Sequence, residues 1–353
     1  MPLAIQPPES DLLLPLPGAG EAWDHHTVHT HYFGFAVPEP ISGGAAIGVF
    51  AYIRYQPTFP LSQGGVVIFQ GLNNPSPVDA AHINYEITMP WPEVEGNTIR
   101  TANGLVIDFV EPGRVARVSY TSADGSTSFD VLQTGVTPLL ARGHVVPGED
   151  DHHGDPGRVT GGSEQFMHVT GDLVLNGQRH AVDCHYPRDR SWRQVRKETQ
   201  GFPPSPPVCW SPMYFGDDLI FNQISFEGPD TDPTWAGLYD IPADARTHHF
   251  AWLQQGDKTL DIVRIRRTVS EQQPGTFAAL RQEIEAEDET GTVHRFSGEA
   301  IAACVMPAWP NASFHDSVYR WTDSQGRITH ATCQELWADK YQLGMKSREG
   351  VAQ

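Results

Sequence analysis

Carboxylate, imidazole, phenol and guanidinium side chains crowd into residues 161–196, GGSEQFMHVTGDLVLNGQRHAVDCHYPRDRSWRQVR. Asp189 is the first candidate for chemistry. A carboxyl held beside Trp192 and partly desolvated can keep its proton at neutral pH and act as an acid. Arg188 and Arg190 pull the other way, because a guanidinium within hydrogen-bond reach stabilises the carboxylate and suits a base or a structural ion pair. Glu164 and His168 lie before Asn176-Gly177, and His185 and Tyr186 lie after it. If the two runs pair, carboxylate, imidazole and phenol converge beside Asp189, a set able to protonate one atom and deprotonate another. Taken singly, each of these side chains reads equally well as a satisfied polar residue of a strand, and Asp189 as half of a buried Arg-Asp pair.

The element that must position them is a hairpin. Asn-Gly readily takes the positive φ angles of a two-residue turn, and both flanking runs look extended. Pro187 marks the expected point of exit from the returning strand. A second constellation, Asp24-His25-His26-Thr27-Val28-His29-Thr30-His31, raises a metal reading, since His29 and His31 share one face of a strand and His25 can join them. No acidic ligand follows at a recognisable spacing, so no metal is assigned and no cofactor is expected. His152-His153, beside acids in a glycine-rich run, is a weaker pair still. The chain has no Gly-x-Gly-x-x-Gly after a strand, no Gly-Lys-Ser/Thr loop, no Gly-x-Ser-x-Gly elbow and no His-Glu-x-x-His. Nucleotide-dependent, serine-hydrolase and zinc-protease chemistries lose ground accordingly.

The scaffold reads as all-β. Across 353 residues, 33 glycines and 29 prolines interrupt the chain, and few long windows carry a 3.6-residue apolar period. Runs such as Gly65–Gln70 and Gly104–Val110 are short, β-branched and glycine-bounded, while Ala116, Val118 and Tyr120 alternate with polar neighbours. Residues 277–288 are ambiguous and read as a strand; 336–343 reads as a short helix. The Gly-, Pro-, His- and acid-rich residues 142–162 make an expected surface loop or lid, and proline-dense 201–207 an expected linker. The chain is long enough for two domains, placed at 1–200 and 208–353.

With 24 basic against 43 acidic residues the net charge is -19, which disfavours nucleic acid and anionic membrane surfaces. The N-terminal MPLAIQPPESDLLLPLPGAGEAW has no basic n-region and is broken by prolines, so it reads as an extended arm rather than a signal peptide or membrane span. Four widely spaced cysteines without a CxxC fit a reduced cytoplasm. The oligomeric state stays open, a homodimer among the options.

Ser163-Glu164-Gln165, Thr170-Gly171-Asp172-Leu173, Asn176-Gly177 and Arg188-Asp189-Arg190-Ser191-Trp192 together resemble a bacterial family of two-domain lipocalin-like proteins related to carotenoid hydratases (hydroxyneurosporene synthases) and AttH-like proteins. The family segment ends Arg-Asp-His-Ser-Trp-Gly; this chain has Arg190 for the His and Arg193 for the Gly. The resemblance implies two lipocalin-like β-barrels packed together, with an apolar cavity at the domain junction whose polar end the motif furnishes. It further implies proton transfer to an isoprenoid- or steroid-like substrate by a hydratase, dehydratase or isomerase. In that reading Asp189 donates the proton, Glu164, His185 or Tyr186 partners it, Arg188 orients it and Trp192 steadies a developing cation. Arg190, His168, Trp210 and Tyr214 would contact substrate. A non-catalytic carrier of hydrophobic ligands, a polyketide cyclase of the Diels–Alderase kind and a His-cluster metal enzyme are the alternatives.

Overall fold

The computed structural model describes residues 5–141, 161–195, 207–228, 230–231, 235–239, 247–306 and 312–351. The bulk of the expected lid and linker and the pair His152-His153 lie outside the described residues.

Alternating apolar runs separated by glycine turns fold into two antiparallel sheets. The first holds β1 (Thr27–Val37), β2 (Ile47–Gln56), β3 (Leu61–Gln70), β4 (His82–Pro90), β5 (Glu93–Glu95), β6 (Thr98–Arg100), β7 (Val106–Glu111), β8 (Val115–Thr121), β9 (Ser128–Gly135), β10 (Leu140–Ala141), β11 (Gly161–Leu175) and β12 (Gln178–Val195). Its order is β4-β3-β2-β1-β12-β11-β9-β8-β7-β6-β5, with β10 on β11, and it curls into a half-barrel. The second sheet holds β13 (Val208–Trp210), β14 (Met213–Tyr214), β15 (Ile220–Phe226), β16 (His248–Gln255), β17 (Lys258–Gln272), β18 (Ala279–Asp288), β19 (Val293–Met306), β20 (Ala312–Asp323) and β21 (Ile328–Ala338). Pairing of β13 with both β21 and β15 closes eight of these strands into a barrel, leaving no free edge there. A C-terminal helix (Asp339–Val351) packs Tyr341 and Met345 against Trp235 and Trp337.

The long hairpin β11–β12 sits mid-sheet, its register unbroken from Gly161↔Trp192 to Leu175↔Gln178. Its turn is the expected one: Asn176 has φ 50° and Gly177 φ 81°. The strand does not end at Pro187. It runs on to Val195, with Pro187 opposite Phe166, so the Arg188–Trp192 motif is strand and not loop. All four cysteines are free and buried, and barrel closure brings the Sγ atoms of Cys209 and Cys333 to 3.2 Å.

One apolar core spans both sheets. Tyr32, Phe50, Tyr186 and Val49 of the first cluster with Trp210, Ile224, Phe314 and Val318 of the second, so one face of β1, β2 and β12 is covered by β13, β20 and β21. Because the turn at Gly177 requires a left-handed conformation, Gly177→Val is expected to cost roughly 1–2 kcal/mol. That would lower the thermal midpoint by a few degrees; an unchanged midpoint would show that the turn does not set this hairpin's register.

Candidate functional site

Period-two alternation along β12 divides the motif between two faces. Arg188 is opposite Phe33 and Gln165, and Arg190 opposite His31 and Ser163. Both point to the concave face of the first sheet. Asp189 is opposite Tyr32 and Glu164, on the face toward the second barrel. The expectation that the flanking arginines clasp Asp189 is therefore corrected. Arg188 donates to both oxygens of Asp11, at 2.8 and 3.0 Å, and to Gln165 Oε1 at 2.8 Å, while Arg190 donates to the Leu13 carbonyl. Arg188 orients Asp11, not Asp189.

The remaining expected residues fall into three places. His168, His185 and Tyr214 form a partly exposed ring stack, with centroids 4.9 Å apart for the histidine pair and 4.7 Å for His185 and Tyr214. His168 pairs with Asp183 at 2.7 Å, and Tyr214 donates to Asp217 at 2.6 Å. Burial and then the neighbouring His168 lower the His185 pKa. The two histidines are four residues along the hairpin from Glu164 and Asp189, roughly 13 Å at strand rise, so the stack does not join them. Trp192 is buried on the concave face with Arg190 over its ring at 5.3 Å.

Glu164, Trp210 and Tyr186 do belong together, at the junction. Asn222 of β15 donates to Glu164 Oε2 and accepts from Trp210 Nε1 at 3.0 Å. Trp210 meets the edge of Tyr32 at a centroid distance of 6.0 Å. Gly34 allows the next step: a Cβ there would lie 2.2 Å from the Tyr32 hydroxyl oxygen and 2.7 Å from the Tyr186 ring, so only glycine lets the two phenols converge. Both phenols feel the charge of Asp316 on β20. Burial first, then the Asp316 charge, raises the pKa of each well above the usual phenol range.

Asp316 was not expected from its sequence context. It is 1 % exposed; its Oδ1 accepts from Thr332 Oγ1 at 2.7 Å and its Oδ2 has no hydrogen-bond partner. No guanidinium or ammonium contacts it among the described residues. Burial pushes its pKa up to about 7, against opposing hydrogen bonding from Thr332, Gln334 and the Ser317 backbone. A carboxyl that is half protonated near neutrality, beside two phenols, can deliver a proton and take one back.

His29 and His31, the two histidines expected to share a metal, are both engaged in hydrogen bonds. His29 accepts from Arg193 N at 2.8 Å through Nδ1 and bonds the Pro15 carbonyl at 2.9 Å, while His31 bonds Tyr55 at 2.9 Å and the Asp11 carbonyl at 3.0 Å. Both rings have both nitrogens engaged. The ligand atoms that do cluster within 4.8 Å are those of Asp24, His25 and His26, at the surface end of the run. Three cavities, of about 310, 500 and 510 Å³, open on other surfaces, and none is lined by Asp189 or Asp316. Among the described residues no helix is long and apolar enough to cross a membrane.

A family described as a domain of unknown function, DUF7064, matches residues 24–337. The chain belongs to the DUF7064 family. Among solved structures, this DUF7064 chain is similar in fold to kievitone hydratase from Nectria haematococca, at 12% identity and a TM-score of 0.50, with 96% of this chain and 94% of that one covered. No curated protein matches it.

Within this DUF7064 fold, the site is fixed by three groups from three strands: Tyr32, Tyr186 and Asp316. Delaying ionisation of Asp316 from 3.8 in the unfolded chain to about 7 in the native one makes the native state bind the extra proton between those values. Stability must then fall with rising pH across that window, by roughly 4 kcal/mol at most, and level off above it. Denaturant midpoints measured from pH 4 to 8 for the protein and for Asp316→Asn should converge at low pH and separate in favour of the variant at high pH. Parallel curves would exclude a protonated Asp316.

Proposed function

We propose that the protein is a cofactor-independent enzyme of the hydratase, dehydratase or isomerase kind, acting by proton transfer on an apolar, isoprenoid- or steroid-like molecule at the junction of the two sheets. The observation that carries this reading is the fully buried Asp316 carboxyl, which no cation contacts among the described residues and whose charge acts on both Tyr32 and Tyr186. The structural neighbour is by name a hydratase, and the resemblance of the β11–β12 segment to carotenoid hydratases points the same way.

The step balances with one carboxyl. Asp316 gives its proton to one alkene carbon, water adds through oxygen to the cation formed at the other, and the oxonium returns a proton to the Asp316 carboxylate. The reverse sequence is dehydration, and loss of a carbon-bound proton in place of water capture is double-bond isomerisation. Tyr32 and Tyr186, un-ionised at every physiological pH, orient the carboxyl and the incoming oxygen. The π faces of Trp210 and the phenols stabilise the cation. Asp189 and Glu164, register partners on the same face, polarise the attacking water, so the donor role moves from Asp189 to Asp316.

Mass spectrometry of apolar compounds co-purifying with the protein identifies the substrate class. Turnover on that compound, read as gain or loss of one water, should fall about 10²–10⁴-fold in folded Asp316→Asn and decline in the parent as pH rises through about 7. Full turnover by Asp316→Asn would refute the assignment. Tight binding without conversion, indifferent to that substitution, would mark a carrier.

A further inference from the structure

The concave face of the first sheet holds a second set of functional side chains, and the chain's own N-terminal arm lies on them. The arm enters by Ile5 bridging Leu140 and by Gln6 N donating to the Leu139 carbonyl. Beyond a short 3-10 turn at Pro8–Leu12, it meets the groove mainly through side chains of the sheet. The carbonyls of residues 11, 13 and 15 accept from His31, Arg190 and His29 in turn. The Asp11 carboxylate takes the fork of Arg188 and the amide of Gly113, the latter at 2.6 Å. Every second residue of the arm thus satisfies a groove side chain, as a bound peptide would.

The charges do not close. Arg188 is matched by Asp11, but Arg190, 2 % exposed, has among the described residues no hydrogen-bond partner for Nε and Nη1 and a single carbonyl as its acceptor. The groups that act on it from the packed elements are Tyr55, Trp192, His29, His31, Arg188 and the Asp11 carboxylate that Arg188 already holds. Burial lowers the pKa of His29 to about 4, so it is neutral, and the Trp192 indole N–H is likewise unpartnered. Asp189 acts on Arg190 only from the other face of the strand. Two buried guanidiniums that share the one carboxylate of Asp11 on this face favour a further anion. Around it, Arg188 rests over Phe33 and Phe109 at 5.6 and 5.8 Å from the ring centroids, which offers an apolar wall beside the cationic fork.

We propose that this groove is a binding site for an amphiphilic carboxylate, held by Arg188 and Arg190 with its tail against Phe33 and Phe109, and that the N-terminal arm occupies it intramolecularly with Asp11 as the stand-in carboxylate. The site is separate from the junction and does not depend on the proposed reaction.

Isothermal titration with dodecanoate tests it, with dodecanol as the uncharged control. Asp11→Ala, and the chain lacking residues 1–16, should bind dodecanoate at least tenfold tighter than the parent. Dodecanol affinity should not change, since an alcohol entering the junction is indifferent to the arm. Arg190→Met in the Asp11→Ala background should abolish the gain, and a peptide of residues 5–16 should compete with dodecanoate on the shortened chain. Cooperatively unfolding variants with no gain in dodecanoate affinity would overturn the proposal. Failure of Asp11→Ala, Asp11→Asn and the shortened chain all to fold would also overturn it, by making the arm part of the fold.

Discussion

Removal of the Asp316 carboxyl from water is the constraint on which the junction turns. A lone carboxylate in an apolar seam is costly unless paired or protonated, and no cation contacts Asp316 among the described residues. Hydrogen bonding from Thr332, Gln334 and the Ser317 backbone opposes burial without overcoming it, so the carboxyl keeps a proton into the neutral range. The burial that does this is not local. It needs the face of β1, β2 and β12 laid against β20 and β21, with Gly34 admitting the two phenols. The acidity of the site is therefore a property of the packing of one sheet on another.

The two faces of the first sheet handle charge in opposite ways. On the concave face, cations are abundant, the arm supplies one carboxylate and three carbonyls, and Arg190 stays under-compensated. On the junction face, Glu164 and Asp316 are acids met chiefly by neutral donors, Asn222 and Thr332. Adjacent residues of β12 serve each face, which is how a single short motif contributes to two unlike environments.

The fold was legible in local chemistry. Asn176-Gly177 needs positive φ, apolar residues alternate in 116–120, and the segment at 277–288 carries Leu280, Ile284 and Ala286 at even spacing; all three form strands or turns as expected. Pro187 misled because it falls where the β1–β12 register ends, at Phe33↔Arg188, while pairing with β11 continues through Phe166. Pairing Asp189 with Arg188 and Arg190 neglected the alternation of a strand, which places neighbours i and i±1 on opposite faces. Asp316 escaped notice because nothing in His-Asp-Ser resembles a motif. Its signal was Phe314-x-Asp316-x-Val318, an acid between two core residues of one face, and only the second sheet's docking turns that pattern into burial. The reach of Asp11 across 177 residues to Arg188 is likewise beyond any local reading.

Direct observation of the Asp316 side-chain carbonyl is the sharpest test. Difference infrared spectra, protein minus Asp316→Asn, should contain the C=O stretch of a protonated carboxylic acid at pH 5.5, replaced by carboxylate bands with a midpoint near 7. A spectrum already that of a carboxylate at pH 5.5 would contradict the account, because the junction would then hold a charge and not a proton.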